Sequence, residues 1–327
     1  MFDISKLNGK TVFITGATGL IGKALVLRLV RDCATVRVIA CVRNREKAER
    51  TFGEYIDRIE LFVSDIKDVP PRDICVNYII HGASITDSKS FVQRPVEVID
   101  DSVFGTKAIC EFARVNPVES VVYLSSMEVY GSPSTDDKIS ESNASNLDTM
   151  SERSCYPISK RLCENMFVSY CGEYAVPAKV IRLTQTFGEG VEYEDKRVFA
   201  EFARCVIENK DIVLKTKGDT KRSYLYTGDA VDAILTVLLN GKNGEAYNAA
   251  NETTYCSILD MAQMVAEKCA NNKIKVIVDA QDPGVFGYAP TLKMNLSCDK
   301  LKHLGWKAQV DLETMFSRLI RYLKGAQ

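Results

Sequence analysis

Tyr156 and Lys160 stand four residues apart at the head of a stretch that reads as helix, so both side chains project from one face. An ammonium one helical turn from a phenol favours the phenolate and draws the tyrosine pKa down toward neutral. A phenol tuned in this way can take the proton of an alcohol while hydride leaves the carbinol carbon. Of the 14 tyrosines, Tyr156 alone has a lysine at that spacing. An exposed helix that happens to carry both residues is the plainer reading of Y-x-x-x-K by itself. The apolar run 121–125 that closes in Ser125-Ser126 weighs against it, because a hydroxyl at Ser126 could hold the same alcohol oxygen.

A hydride needs an acceptor, and the N-terminus offers a place for one. Residues 11–22 read TVFITGATGLIG: an apolar strand, then Gly16-x-x-Gly19-x-x-Gly22, then an amphipathic stretch beginning at Leu20. Glycines permit a tight turn and leave the backbone bare, and the free N–H groups of the following helix favour a dinucleotide pyrophosphate. Glycine spacing alone says little; the strand before and the helix after give it weight.

The elements that must position these groups alternate along the first half of the chain. Apolar strands are expected at 12–14, 36–42, 59–63, 78–81, 121–125 and 178–183, and helices at 20–31, 96–115 and 158–174. That order predicts a doubly wound parallel α/β sheet. Beyond residue 183 the pattern loosens: helices at 198–209, 229–239 and 258–269, a short strand at 212–214, and a Pro- and Gly-rich turn before a last helix. The division expected is a dinucleotide-binding domain over 1–183, rejoined by 223–250, and a smaller substrate-binding lobe from 184–222 and 251–327, with some C-terminal segments returning to the first. The polar segment 131–155 leads into Tyr156 and reads as a loop or lid facing the substrate.

Composition narrows the class. The 327 residues are 46% hydrophobic and 26% charged with net charge -1, an ordinary globule without a basic field for nucleic acid or an acidic membrane. Eleven scattered cysteines and two histidines make a metal site or a disulfide framework unexpected and suit a reducing compartment. No apolar stretch reaches membrane-spanning length and the first ten residues lack a signal-peptide plan, so a cytoplasmic enzyme is expected.

TGATGLIG, Asp65-Ile66, HGAS at 81–84, SSMEVYG at 125–131, Tyr156-x-x-x-Lys160, RLTQTFG at 182–188 and RSYLYTGDAVDA at 222–233 occur in that order. Together they resemble the extended short-chain dehydrogenases/reductases of the nucleotide-sugar epimerase/dehydratase type, over nearly the whole chain. The resemblance implies a Rossmann fold and transient oxidation of a nucleotide-linked sugar at C4. It makes Tyr156 the base, Lys160 a ligand of the nicotinamide ribose and Ser126 the hydroxyl that positions the sugar. Glu128 becomes a candidate acid or base. Gly16, Thr18, Gly19, Leu20, Ile21, Gly22, Arg43, Asp65, Ile66, Ala83, Ser84 and Ser125 become coenzyme contacts, with Asp65 at the adenine. Arg222, with Gln185 and Arg197, would meet the sugar-nucleotide diphosphate. Family members commonly pair through helices corresponding to 96–115 and 158–174, and both segments here carry more apolar positions than one buried face needs, so a homodimer is expected.

Departures from the family pattern bear on the reaction. Dehydratases of the family carry Asp before this Glu; Met127 stands there and cannot donate a proton. S-[ST]-x-E-V-Y-G is similar to the UDP-glucuronate decarboxylase pattern, which favours a UDP-sugar and makes decarboxylation or epimerisation the first expectation. Reduction of a keto-sugar nucleotide by NADPH is the alternative, and 4,6-dehydration a weaker one. Gln185 replaces a family Asn. The second strand ends without the carboxylate that selects NAD, and Arg43 could accept a 2′-phosphate, so NAD and NADP both stay open.

Overall fold

A computed structural model describes residues 3–68, 74–144, 146–280 and 291–325; the Pro- and Gly-rich turn expected near the C-terminus falls largely outside them. Its first half runs β1 (Thr11–Thr15), α1 (Leu20–Asp32), β2 (Arg37–Val42), α2 (Arg45–Phe52), β3 (Ile59–Val63) and β4 (Tyr78–His81). There follow α3 (Ser90–Gln93), α4 (Pro95–Val115), β5 (Ser120–Ser126), α5 (Cys155–Tyr174) and β6 (Ala178–Leu183). These six strands and β10 (Ala246–Ala249) form one sheet of seven in the order β10-β6-β5-β4-β1-β2-β3, every neighbour parallel. The fold is thus a doubly wound Rossmann-type α/β sheet.

Both faces are covered, which is why the strands read as continuous apolar runs. Val12, Ile14, Ala40, Ile80 and Val122 point into one core with α1 and with α7 (Thr227–Asn240). The alternate residues Phe13, Ile39, Ile79, Val121 and Tyr123 enter a second core with Ile109 and Phe112 of α4 and Cys163 and Phe167 of α5. The chain winds outward from β1 in both directions, so a crevice opens where the connections of β1 and β4 part, at the carboxyl ends of the strands.

A smaller lobe lies past β6: β7 (Gln185–Phe187), α6 (Val198–Glu208), β8 (Ile212–Leu214), β9 (Lys221–Tyr226), β11 (Asn251–Ser257), α8 (Ile258–Met264), β12 (Val276–Val278) and β13 (Lys293–Met294). Its core stacks Phe187 on Phe199, with centroids 4.6 Å apart, beside Phe202, Tyr224 and Phe316. One boundary differs from the sequence reading. Residues 223–226 belong to β9 and pair with β7 and β11 in the smaller sheet, not in the large one. Residues 294–306, from the C-terminal region where returning segments are expected, send Met294, Leu296, Leu301 and Trp306 into the first core, and the Trp306 indole donates to the Asp229 carbonyl at 3.1 Å. Their apolar side chains find cover against α7 and the β10 edge, which the small lobe does not offer.

Candidate active site

The turn after β1 is shaped by what a side chain would strike. Gly16 has φ +70°, and a Cβ there would stand 2.7 Å from the Gly82 carbonyl carbon; a Cβ on Gly22 would stand 2.1 Å from the Gly16 oxygen. Only glycine fits either position. Gly19 begins α1 with no side-chain cap, so the first-turn N–H groups remain open to a ligand. Thr15 steadies the opposite wall: its hydroxyl accepts from the N–H groups of Gly82 and Ala83, each at 3.1 Å. With both of those bonds accepted, its proton goes to His81 Nδ1 at 2.8 Å. His81 is fully buried and held neutral, its pKa pressed down to about 3 by burial and then by the Lys160 charge. The residues present fit a dinucleotide: bare backbone, an open helix N-terminus and a fixed facing turn.

A cleft of about 1920 Å³ runs from this turn across the strand ends to the smaller lobe. Its wall brings together Gly16, Thr18, Gly19, Leu20, Ile21, Gly22, Arg43, Ile66, Ala83, Ser84, Ser125, Ser126, Glu128, Tyr156, Lys160, Gln185, Arg197 and Arg222. Asp65 is the exception. Its carboxylate accepts from the Lys67 N–H at 3.0 Å, closing its own turn, while Ser64 and Ile66 take the wall positions.

At the strand ends the chemistry-bearing side chains meet. Tyr156 is 7% exposed and the neighbouring Ser126 hydroxyl favours its ionised form; the Ser126 oxygen accepts from the Glu128 N–H at 3.2 Å. Lys160 is buried, donates to the Leu124 carbonyl at 2.8 Å, and lies 5.6 Å from the Tyr156 ring centroid. The expected depression of the Tyr156 pKa is reversed here: burial pushes it well up, and the nearby Glu128 charge adds to that. Burial also lowers Lys160 to about 8, so desolvation outweighs the mutual help that helical spacing suggested. Ser125 donates to Glu164 at 2.5 Å, and Glu164 is paired with Arg182 at 2.7 Å.

The far end is cationic. Arg222 donates to the Gln185 amide oxygen at 3.0 Å, and its Nε is buried without a partner among the described residues. A buried guanidinium N–H left unsatisfied points to an anionic oxygen. Arg197 is more engaged, paired with Asp195 at 2.5 Å and lying over Phe199. Met127 is buried with its sulfur 3.3 Å from the Thr184 hydroxyl, which donates to the Ser223 carbonyl at 2.6 Å, so no acid stands at its position. Sequence reading missed Lys47, Asp148, Arg153, Lys196 and Lys217, which also line the cleft. Arg153, three residues before Tyr156, was the one that spacing could have flagged. Among the described residues no cluster could hold a metal ion and no helix is long and apolar enough to cross a membrane.

A glycine-turn crevice joined to a half-buried Ser126 and a buried Tyr156 and Lys160 defines a dinucleotide-dependent protein of the extended short-chain dehydrogenase/reductase type. The model of the NAD dependent epimerase/dehydratase family matches residues 12–250, and the chain belongs to that family. It is 26% identical to the UDP-glucuronic acid decarboxylase 1 of Danio rerio, over 98% of this chain and 74% of that protein. It is equally 26% identical to the dTDP-D-glucose 4,6-dehydratase of Bos taurus, over 96% and 89%. The fold recurs in a UDP-glucose 4-epimerase from Thermotoga maritima solved with UDP-glucose, with TM-score 0.81, 19% identity and coverage of 97% and 99%. It recurs again in a UDP-N-acetylglucosamine 4-epimerase from Methanobrevibacter ruminantium, with TM-score 0.84, 18% identity and coverage of 97% and 99%.

Proposed function

We propose that this enzyme oxidises the C4 hydroxyl of a UDP-linked sugar and, with a uronic acid, releases carbon dioxide before the hydride returns. The observation that carries the reading is Ser126 beside a buried Tyr156 on one cleft wall, between a glycine-turn crevice and an unsatisfied Arg222. When bound, the nicotinamide coenzyme supplies the hydride acceptor. The chain's own residues do the rest. Arg222, oriented by Gln185, holds the diphosphate; Ser126 holds the C4 oxygen; Tyr156 takes its proton; Lys160 meets the coenzyme ribose. A β-keto acid loses carbon dioxide readily, and Glu128, half-buried beside Ser126 on the open cleft, can pass a proton taken up from water to the resulting carbon. Met127 in place of an acid disfavours 4,6-dehydration, although one group of relatives bears that name.

Family membership speaks for NAD, while Arg43 on the cleft wall favours accommodation of a 2′-phosphate as well. Eleven unpaired cysteines suit a reducing, cytoplasmic setting. Val96, Ile99 and Phe104 of α4 and Leu162 and Val168 of α5 are each more than 40% exposed, which suits a homodimer through those helices. The test is mass spectrometry of the dinucleotide that co-purifies, then incubation with UDP-glucuronate and a catalytic amount of NAD. Carbon dioxide and a UDP-pentose without net NADH are expected. One NADPH consumed per product on a keto-sugar nucleotide would replace this reading with a reductase.

A further inference from the structure

Arg153 lies in the 3-10 turn Glu152–Ser154 that closes the polar segment and leads into α5. Its Nη2 donates to both oxygens of Glu128, at 3.1 and 3.4 Å. The same guanidinium lies over the Phe91 ring, 4.6 Å from its centroid. Phe91 is in turn stacked on Tyr156, with centroids 4.5 Å apart and planes 15° from parallel. The Cys155 thiol ties the short α3 to α5 by donating to the Phe91 carbonyl at 3.4 Å. Phe91, Val98, Cys155 and Tyr156 form a buried cluster separate from the large cores, so it is built around this one phenol.

We propose that Arg153 is a positioning residue for the Tyr156–Glu128 pair: it holds and neutralises the Glu128 carboxylate while bracing the Tyr156 ring through Phe91. The proposal rests on Tyr156 being the proton acceptor. Glu128 beside Tyr156 opposes a phenolate, whereas Arg153 favours one. The remaining polar groups around the ring are Ser126 and Tyr123 from β5, and Cys155 and Lys160 from α5. The α3 side presents the apolar Phe91 and the α4 side Val98. Without Arg153 the unpaired Glu128 carboxylate would oppose ionisation of Tyr156 and so impede the first step. A planar guanidinium can bind a carboxylate and stack on a ring together, which an ammonium cannot.

The test is single-turnover reduction of bound NAD by UDP-glucuronate or UDP-glucose, followed by reduced-nicotinamide absorbance across pH. Arg153→Met should slow this step about tenfold and move its rising limb up by about one pH unit. The NAD dissociation constant should change less than about twofold, since the contacts of Arg153 are with Glu128 and Phe91 and not with the glycine turn. Adding Glu128→Gln to Arg153→Met should bring the limb back down, and Arg153→Lys should fall between. A limb at the same pH in all variants, or a double variant no different from the single one, overturns the proposal. If the wild-type protein reduces no NAD with either sugar, the functional reading fails. The brace is then judged on tyrosinate absorbance of the coenzyme-free chain, with Tyr156 isolated by subtracting Tyr156→Phe. Arg153→Met must delay that signal to higher pH and the double variant must restore it; superimposable curves refute the brace.

Discussion

Arg43 follows directly on β2, where a carboxylate would select against a 2′-phosphate. Its side chain is 68% exposed and leans on Asp101 at 3.6 Å, a loose pair that holds it weakly and leaves it free to turn to a ligand. Arg43→Ala should therefore weaken NADP about tenfold or more and NAD hardly at all, as read by fluorescence titration. Equal losses would remove Arg43 from the coenzyme site. At this scale the sequence is readable where function depends on spacing along one element. Tyr156 and Lys160 share a helix, and Gly16 in the turn packs against Gly22 in the first turn of α1. It is opaque where a partner comes from another segment: the bond between Arg153 and Glu128 spans 25 residues. Asp65 shows the converse. Its motif is in place, yet its carboxylate serves its own turn. Spacing also cannot weigh burial, which is why the Tyr156 pKa moves opposite to the expectation.

At the scale of elements, the strands of the large sheet are legible because burial on both faces leaves them uniformly apolar. β10 is not, since AYNA is four residues with a buried, fully bonded Asn248 at its centre. Nor is α2, whose sequence REKAERTF buries only Ala48 and Phe52 and gives no apolar period. The end of the catalytic helix carries a visible cost. α5 stops at Ala175 in the left-handed region, φ 58° and ψ 26°, where α6 stops at Asn209, a residue that tolerates it. Ala175→Gly should stabilise the protein by about 1 kcal/mol. That gain should appear as a rise of about 2 °C in thermal midpoint. A midpoint unchanged or lowered would mean that the left-handed cap is not a source of strain.

The whole molecule couples two lobes through a shared cleft. Segment 294–306 returns beneath the large sheet, and β7 continues from β6 into the smaller one. That some C-terminal segment returns is readable in advance but not which one, since Met294, Leu296, Leu301 and Trp306 would suit either core. The exposed stripe on α4 and α5 predicts a dimer mass by light scattering at micromolar concentration. Phe104→Asp should give a folded monomer, because one buried charge at the centre of an apolar contact costs several kcal/mol. A wild-type monomer would contradict the pairing.

The central claim is that Tyr156 takes the alcohol proton of a sugar nucleotide at this cleft. Its most direct test is stopped-flow reduction of bound NAD by UDP-glucuronate in wild-type and Tyr156→Phe protein. The variant should bind NAD normally and reduce it about a hundredfold more slowly or worse, the scale on which a positioned base acts. Equal rates in the two proteins would contradict the account.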